Sequence, residues 1–442
     1  MATHVPTDPA DDPSPAELLA ARNNLRQHAM DGLMLDGVPL SAIAREVGTP
    51  TWVYSAGTLR SRYRALAGAL KDAGLDAQPH YAVKANDHLA VIATLAREGA
   101  GADVVSGGEL RRALKAGVPA RHIVYSGVGK SIPELQLAVA EDIGQVNVES
   151  AEELAMLSAV ATAAGRTARV ALRVNPDVEA GGHSKISTGR ATDKFGIAYD
   201  AAAALYAHAA TLPGIRPVGI ATHIGSQILD LAPYRDAFAR IATLVRTIRD
   251  AGYKIETVDC GGGLGIPYRN EPAPGPAGLA GAMKAAFHNM DVRLALEPGR
   301  WLVGPAGILL ASVVLTKQTP TTRFVVVDAA MNDLVRPAMY DSWHGILPVS
   351  PVDAVAPLSP ADVVGPICES GDTFAKERAL PPLAPGALVA FLDAGAYGAV
   401  MSSPYNARLR AAEVTVDGDR WSVIRPRQTM NDLWAHEVLP AS

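Results

Sequence analysis

Tyr81-Ala-Val-Lys-Ala-Asn86 is a short apolar run that ends on a lysine, and Ala102-Asp-Val-Val-Ser-Gly-Gly-Glu-Leu110 repeats the pattern after an Ala/Leu/Arg stretch of helical composition. The alternation continues outward through Ile123-Val-Tyr125, Val146-Asn-Val148, Val170-Ala-Leu-Arg-Val174, Val218-Gly-Ile-Ala-Thr222, Thr257-Val-Asp259 and Leu294-Ala-Leu296. Successive starts are mostly about 21–25 residues apart, the length of one βα unit, with loops inserted around 176–217 and 264–291. Eight such units predict an α/β fold closed as a (β/α)8, TIM-like barrel rather than an open doubly wound sheet.

The rhythm has clear limits. Residues 1–16 carry Asp8, Asp11, Asp12 and several prolines with no apolar run, and read as a disordered lead rather than a signal. Residues 17–32 have helical composition, and Ser41 is placed to cap a short helix that ends near Gly48. Trp52-Val-Tyr54 reads as a strand and Thr58–Ala73 as a helix. Beyond Arg300 the spacing changes to short β-rich stretches with many turns, which predicts a mainly antiparallel β domain. The expected division is therefore 17–50 as a segment joining the C-terminal domain, 51–305 as the barrel and 306–442 as the β domain.

Composition narrows the function. The chain has 442 residues, of which 48% are hydrophobic and 19% charged, so global disorder is excluded. A net charge of −5 gives no long-range attraction to nucleic acid or an anionic membrane. The most apolar region, Trp301–Val314, is broken by Gly304, Pro305 and Gly307, too short a run to span a bilayer. Two cysteines, Cys260 and Cys368, make no disulfide framework and suit the cytoplasm; each is either a core thiol or a reactive group.

In a barrel the chemistry sits at the C-terminal ends of the strands. Lys84, Ser106-Gly-Gly108, Arg173, His223, Gly261-Gly-Gly263 and Glu297 all fall at such ends. A lysine there faces a desolvated pocket that frees its amine, or else it snorkels to water. The glycine loop offers backbone N–H groups to a phosphate, or is a plain tight turn. It is not a dinucleotide fingerprint, because Ile266 stands where the third glycine is required and Pro267 follows. Glu297 in Glu-Pro-Gly-Arg300 suits a pyridine nitrogen, or a structural ion pair. His223-Ile-Gly-Ser226 offers a ring to stack and a hydroxyl for phosphate, or is a core histidine; no second His or Cys sits at metal spacing. Lysine, phosphate loop, carboxylate and flat-ring partner together describe a pyridoxal phosphate site.

On these motifs the chain resembles the diaminopimelate decarboxylases of the fold-type III pyridoxal phosphate group, which includes alanine racemase. The resemblance runs from about Gly37 to Trp434. It is strengthened by Arg336-Pro-Ala-Met-Tyr340, Cys368-Glu-Ser-Gly-Asp372, Gly395-Ala-Tyr-Gly398 and Tyr405-Asn406, and by a mobile-loop pattern at Gly182–Gly189 with Lys194-Phe-Gly196. It implies an alanine racemase-like barrel and pyridoxal 5'-phosphate as cofactor. Lys84 would hold that coenzyme through its amine, His223 would stack on it, and Glu297 would bind its ring nitrogen. Ser226, Gly261, Gly262, Gly263, Gly299, Arg300 and Tyr397 would surround the phosphate. Arg300, Arg336, Tyr340, Glu369 and Tyr397 would hold the substrate, and Asp103 and Arg173 would support the lysine and the ring hydroxyl. Cys368, from the partner subunit of a homodimer, would donate a proton.

The implied reaction converts meso-2,6-diaminopimelate to L-lysine and carbon dioxide, with no nucleic-acid or membrane partner. Its distal end keeps a carboxylate and an ammonium, which Arg336 and Glu369 suit. Residue by residue, Cys368 can also be an inert thiol, and Tyr340 and Tyr405 core aromatics. The chain departs from the family's usual pattern at Asp341-Ser-Trp-His344 and at Pro404. Rival readings are an amino-acid racemase, a paralogous decarboxylase of another D-amino acid or a carboxylated polyamine, and a non-catalytic pyridoxal phosphate carrier. The racemase leaves Cys-Glu-Ser-Gly-Asp unexplained, and the carrier leaves the β domain unexplained.

Overall fold

A computed structural model describes residues 12–179 and 194–440, and the expected loop at Gly182–Gly189 lies outside them. The eight apolar runs form eight parallel strands: β1 (Ala77–Ala82), β2 (Gly101–Val104), β3 (Ile123–Tyr125), β4 (Gln145–Val148), β5 (Ala168–Asn175), β6 (Ile215–Ala221), β7 (Thr257–Asp259) and β8 (Arg293–Leu296). Each pairs with the next, and β8 pairs back with β1, Leu294 opposite Ala77, so the sheet closes on itself. Closure is what makes the runs nearly continuous in apolar character, since both faces are covered.

Helices follow the strands, and serines start three of them, Ser131 in a capping box with Glu134 and two others close behind a strand. Ser106 Oγ accepts from Glu109 N–H at 3.1 Å, and Ser150 Oγ from Glu153 N–H at 3.1 Å. Both caps stand directly after a strand and turn the chain away from the barrel mouth. Gly219 shows the tightness of the wall: a Cβ there would lie 2.3 Å from Thr257 O. The register of β6 on β5 shifts beside it, between Pro217 and Gly219.

Among the described residues the chain divides into two units. One runs from Leu59 to Leu302, less residues 267–271; the other holds 12–58, 267–271 and 303–440. The second unit is built on a mostly antiparallel sheet in which Gly307–Gln318 pairs with Arg323–Val327 and with Leu388–Phe391. Alternate residues Ile308 and Leu310, Ala390 and Leu392, Val414 and Val416 enter one apolar core with Leu33, Leu35, Leu40 and Ile43. That period of two is what a half-covered sheet requires.

Four expectations need correction. The strand Thr51–Ser55 does not open the barrel. It lies in the second unit's sheet, antiparallel to Gly307–Gln318 with Val53 opposite Ile308, and parallel to Ala412–Asp417 with Val53 opposite Val414. An apolar run does not name its partner strand, so the boundary expected at 51 falls after Thr58. Residues 17–32 are helical only in Pro15–Ala20; Leu25–His28 and Gly32–Leu35 form an antiparallel ribbon. Within the expected disordered lead, Asp12 lies 3.2 Å from Arg378 Nε and Ser14 caps the first helix in a capping box with Glu17. The short helix Leu40–Val47 also starts one residue ahead of Ser41 and ends at Gly48.

Candidate active site

Every barrel strand delivers one polar residue at or just past its C-terminal end. In order these are Lys84, Asp103, Ser126, Asn147, Arg173, His223, Asp259 and Glu297. Lys84 lies in the 3-10 turn Val83–Ala85, and its Nζ is 2.6 Å from Asp103 Oδ2. Asp103 is fully buried, while about a third of the Lys84 side chain, 31%, remains exposed. The pair therefore carries a desolvated carboxylate with a cation that still faces outward. Glu109, close by, accepts the Val105 N–H at 2.9 Å, and burial pushes its carboxyl up to about 7.

Arg173 Nη1 donates to Glu149 Oε1 at 2.8 Å, and the other oxygen of Glu149 accepts the Gly196 N–H at 3.0 Å. The Arg173 guanidinium lies 4.9 Å from the Phe195 ring centroid. Lys194-Phe-Gly196 is thereby anchored at its Gly end to the barrel. His223 accepts the Gly262 N–H at Nδ1, 3.0 Å. Burial, with Arg173 and Lys84 nearby, holds its pKa well below the usual histidine value. The ring is neutral, and the bond at Nδ1 puts its proton on Nε2.

The three loop glycines are demanded by close approach. A Cβ on Gly261 would lie 2.3 Å from Thr222 O, on Gly262 2.1 Å from Glu297 O, and on Gly263 2.5 Å from Gly225 O; Gly261 and Gly263 also have φ of +67° and +99°. Two of the expected phosphate donors are turned inward. Gly261 N–H donates to Asp259 Oδ1 at 2.9 Å and Gly262 N–H to His223, so of the three glycines only Gly263 has an N–H not committed to these two partners. Arg300, 7% exposed, donates to Ser226 Oγ at 3.0 Å. Gly299 packs a would-be Cβ 3.1 Å from Ala85 and 3.2 Å from Ala82, next to the lysine turn.

Glu297 is 6% exposed. Its Oε1 accepts the Ser126 hydroxyl at 2.9 Å and lies 3.2 Å from Asn147 Nδ2. Burial pushes its carboxyl well above the usual glutamate range, Asp103 and Asp259 add to that, and Lys84 and Arg173 oppose it. Ser126, Asn147, Glu149 and Asp259 were not singled out from the sequence. The signal was present: each is polar within or directly after a short apolar run. Cys260 is buried, its thiol pushed well above the usual value by burial, and is a core thiol.

The second unit gathers its own set. Cys368 is exposed, its N–H donating to Asn406 Oδ1 at 3.2 Å, and the Tyr405 hydroxyl donates to Glu369 Oε2 at 3.0 Å. Asp372, 3% exposed, accepts the N–H of Ile367 at 2.7 Å and of Met331 at 2.6 Å, so the loop closes around it. Arg336, 5% exposed, has Nη1 2.8 Å from His344 Nε2 and its guanidinium 5.1 Å from the Tyr268 ring centroid. Tyr397 takes a left-handed φ of +56°, and Tyr340 ends the short helix Arg336–Tyr340.

The family described as "Pyridoxal-dependent decarboxylase, pyridoxal binding domain" matches residues 56–304, which is the barrel with all eight strand-end residues. Barrel and mouth thus define a pyridoxal-dependent decarboxylase. The diaminopimelate decarboxylase of Zymomonas mobilis is 47% identical over 408 residues, 92% of this chain and 96% of its own; that of Pseudomonas aeruginosa is 48% identical over 407 residues, 92% and 97%. The crystal structure of the Helicobacter pylori diaminopimelate decarboxylase complexed with L-lysine has a TM-score of 0.87 at 37% identity, covering 90% of this chain and 99% of that one. The chain belongs to the diaminopimelate decarboxylase family.

The residues at the mouth fit the coenzyme. The glycine loop has no room for a side chain at three successive positions. Asp103 Oδ1 and Thr222 Oγ1 are buried without a hydrogen-bond partner among the described residues, and so want a polar ligand. Among the described residues no helix is long and apolar enough to cross a membrane.

Glu297 gives a pH signature in the coenzyme-free protein. Its folded-state pKa lies above the ordinary value of 4.5, so the folded chain keeps a proton that the unfolded chain releases. Stability from this group is full below that value and is lost as pH rises toward the folded pKa. Glu297→Gln should flatten this fall, seen as a smaller drop in Tm between acid and neutral pH than in the parent. Parallel Tm–pH curves would show that Glu297 is not the group responsible.

Proposed function

We propose that the chain decarboxylates meso-2,6-diaminopimelate to L-lysine and carbon dioxide, the last step of lysine biosynthesis, with pyridoxal 5'-phosphate as coenzyme. The carrying observation is similarity over nearly the whole chain, at 47–48% identity, to diaminopimelate decarboxylases. Two solved relatives, from H. pylori and M. jannaschii, were crystallised with L-lysine, the product of this reaction.

When bound, the coenzyme supplies the electron sink that lets a bond at the amino-bearing carbon break. The chain's residues decide which bond that is. Lys84 would hold the coenzyme through Nζ, and Asp103 pairs with that amine when it is free. His223, being neutral, lends a flat ring without adding charge. Glu297 would bind the ring nitrogen, and Arg173, set by Glu149, would support the ring hydroxyl. Ser226, Gly263, Gly299, Arg300 and Tyr397 would hold the phosphate, with Gly261 and Gly262 shaping the loop from within.

Substrate recognition falls to Arg300, Arg336, Tyr340, Glu369 and Tyr397. Arg336 takes the distal carboxylate and Glu369 the distal ammonium. Cys368 delivers the proton that replaces carbon dioxide, and it does so from the partner subunit of a homodimer. Its exposed position and its contact with Asn406 suit a thiol presented to a second chain. With two cysteines and a mildly acidic charge, the protein suits the cytoplasm.

Holoenzyme incubated with separated diaminopimelate stereoisomers should release lysine from the meso form; no lysine from any isomer would overturn the reading. Arg336→Ala should lower kcat/KM for that substrate by about 30–1,000-fold, the loss of roughly 2–4 kcal/mol when a charged hydrogen-bond partner is removed. An unchanged kcat/KM would take Arg336 out of the substrate site.

Shared sites predict complementation. Lys84→Ala and Cys368→Ala homodimers should each be nearly inactive. Under subunit exchange half the dimers are mixed, and each mixed dimer has one intact site, so activity should return to about a quarter of the parent's. No recovery, with exchange shown by pull-down of differently tagged chains, would place both residues in one chain's site.

A further inference from the structure

Glu297 is held by neutral neighbours as well as by distant charges. Asn147 Nδ2 is 3.0 Å from Ser126 Oγ, 3.1 Å from Asp259 Oδ2 and 3.2 Å from Glu297 Oε1, and the Ser126 hydroxyl donates to that same Oε1 at 2.9 Å. All four are buried, Asn147 and Asp259 to 1% exposure. An asparagine amide can turn over and present either its oxygen or its nitrogen. Here the oxygen is taken: Gln145 Nε2 donates to Asn147 Oδ1 at 2.7 Å, and Gln145 Oε1 in turn accepts the Thr257 hydroxyl at 3.0 Å. Gln145 and Asn147 are two apart on β4 and so point the same way. Only donor hydrogens face the two carboxylates.

We propose that Asn147 is a positioning residue for Glu297, fixing the direction of that carboxylate and keeping it a hydrogen-bond acceptor, through an amide locked in place by Gln145. The inference deepens, and rests on, the reading of Glu297 as the partner of the coenzyme's ring nitrogen. A donor-only neighbour favours the ionised carboxylate. Being neutral, the amide does this without pairing off the charge, as a lysine or arginine in its place would. Asp259 shares the same amide nitrogen and with its other oxygen accepts the Gly261 N–H, so the group that sets Glu297 also ties down the glycine loop.

The test uses holoenzyme carrying coenzyme labelled at the ring nitrogen, whose NMR shift reports whether that nitrogen bears a proton. The parent should show the protonated position and Glu297→Gln should lose it. Asn147→Leu, of similar size without donors, should move the resonance most of the way toward Glu297→Gln. It should also lower kcat about 10–100-fold while KM changes less than about threefold. Ser126→Ala, which removes one donor and leaves the amide, should move the resonance the same way by less; it carries the test if Asn147→Leu fails to fold or to take up coenzyme. If Glu297→Gln shifts the resonance and the folded Asn147 and Ser126 variants do not, the inference fails while the reading of Glu297 stands. If Glu297→Gln leaves the resonance in place, the reading of Glu297 fails, and the inference with it.

Discussion

Asp103, Asp259 and Glu297 lie inside one closed barrel, at 0%, 1% and 6% exposure, and a closed parallel barrel gives carboxylates little access to water. Such groups are tolerated only when each has a partner. Asp103 has Lys84, Asp259 has the Gly261 N–H and Asn147, and Glu297 has Ser126 and Asn147. The arrangement at the mouth follows from that need. A lysine amine is drawn to one side, a backbone loop is pinned on another, and one carboxylate is left with neutral donors alone. The last is the group a protonated ring nitrogen would complete.

The glycine loop shows how one segment meets two demands. Its first two N–H groups face inward, to Asp259 and to His223, and that of Gly263 is committed to neither. The inward bonds make His223 an acceptor at Nδ1, and burial beside Arg173 and Lys84 keeps it uncharged. A neutral ring beside two cations adds no further repulsion to a site that must also accept a phosphate.

In the second unit the organising residue is Asp372. Its buried carboxylate collects two backbone N–H groups and closes the loop that carries Cys368 and Glu369; a Cβ on Gly365 would strike it at 2.3 Å. The loop's chemistry is presented outward because its polar anchor is turned inward. Tyr405 and Asn406, far along the chain, then meet Glu369 and Cys368 directly.

The sequence by itself determined the barrel, because strand and helix periods are local and eight of them in succession leave few other topologies. It also marked Lys84, His223, Glu297 and the glycines, since strand ends announce themselves in an apolar run. What it did not disclose are the residues that work through others. Asn147 sits in Val146-Asn-Val148 and looks like an interruption; its meaning comes from Ser126, Asp259 and Glu297, which reach it from three other strands. Thr51–Ser55 reads as a strand anywhere, but only its pairing with Gly307–Gln318 and Ala412–Asp417 assigns it to the second unit. Direction of a hydrogen bond and choice of a partner strand are long-range facts. They are decided when the chain closes, because only then do groups a hundred residues apart compete for the same few donors.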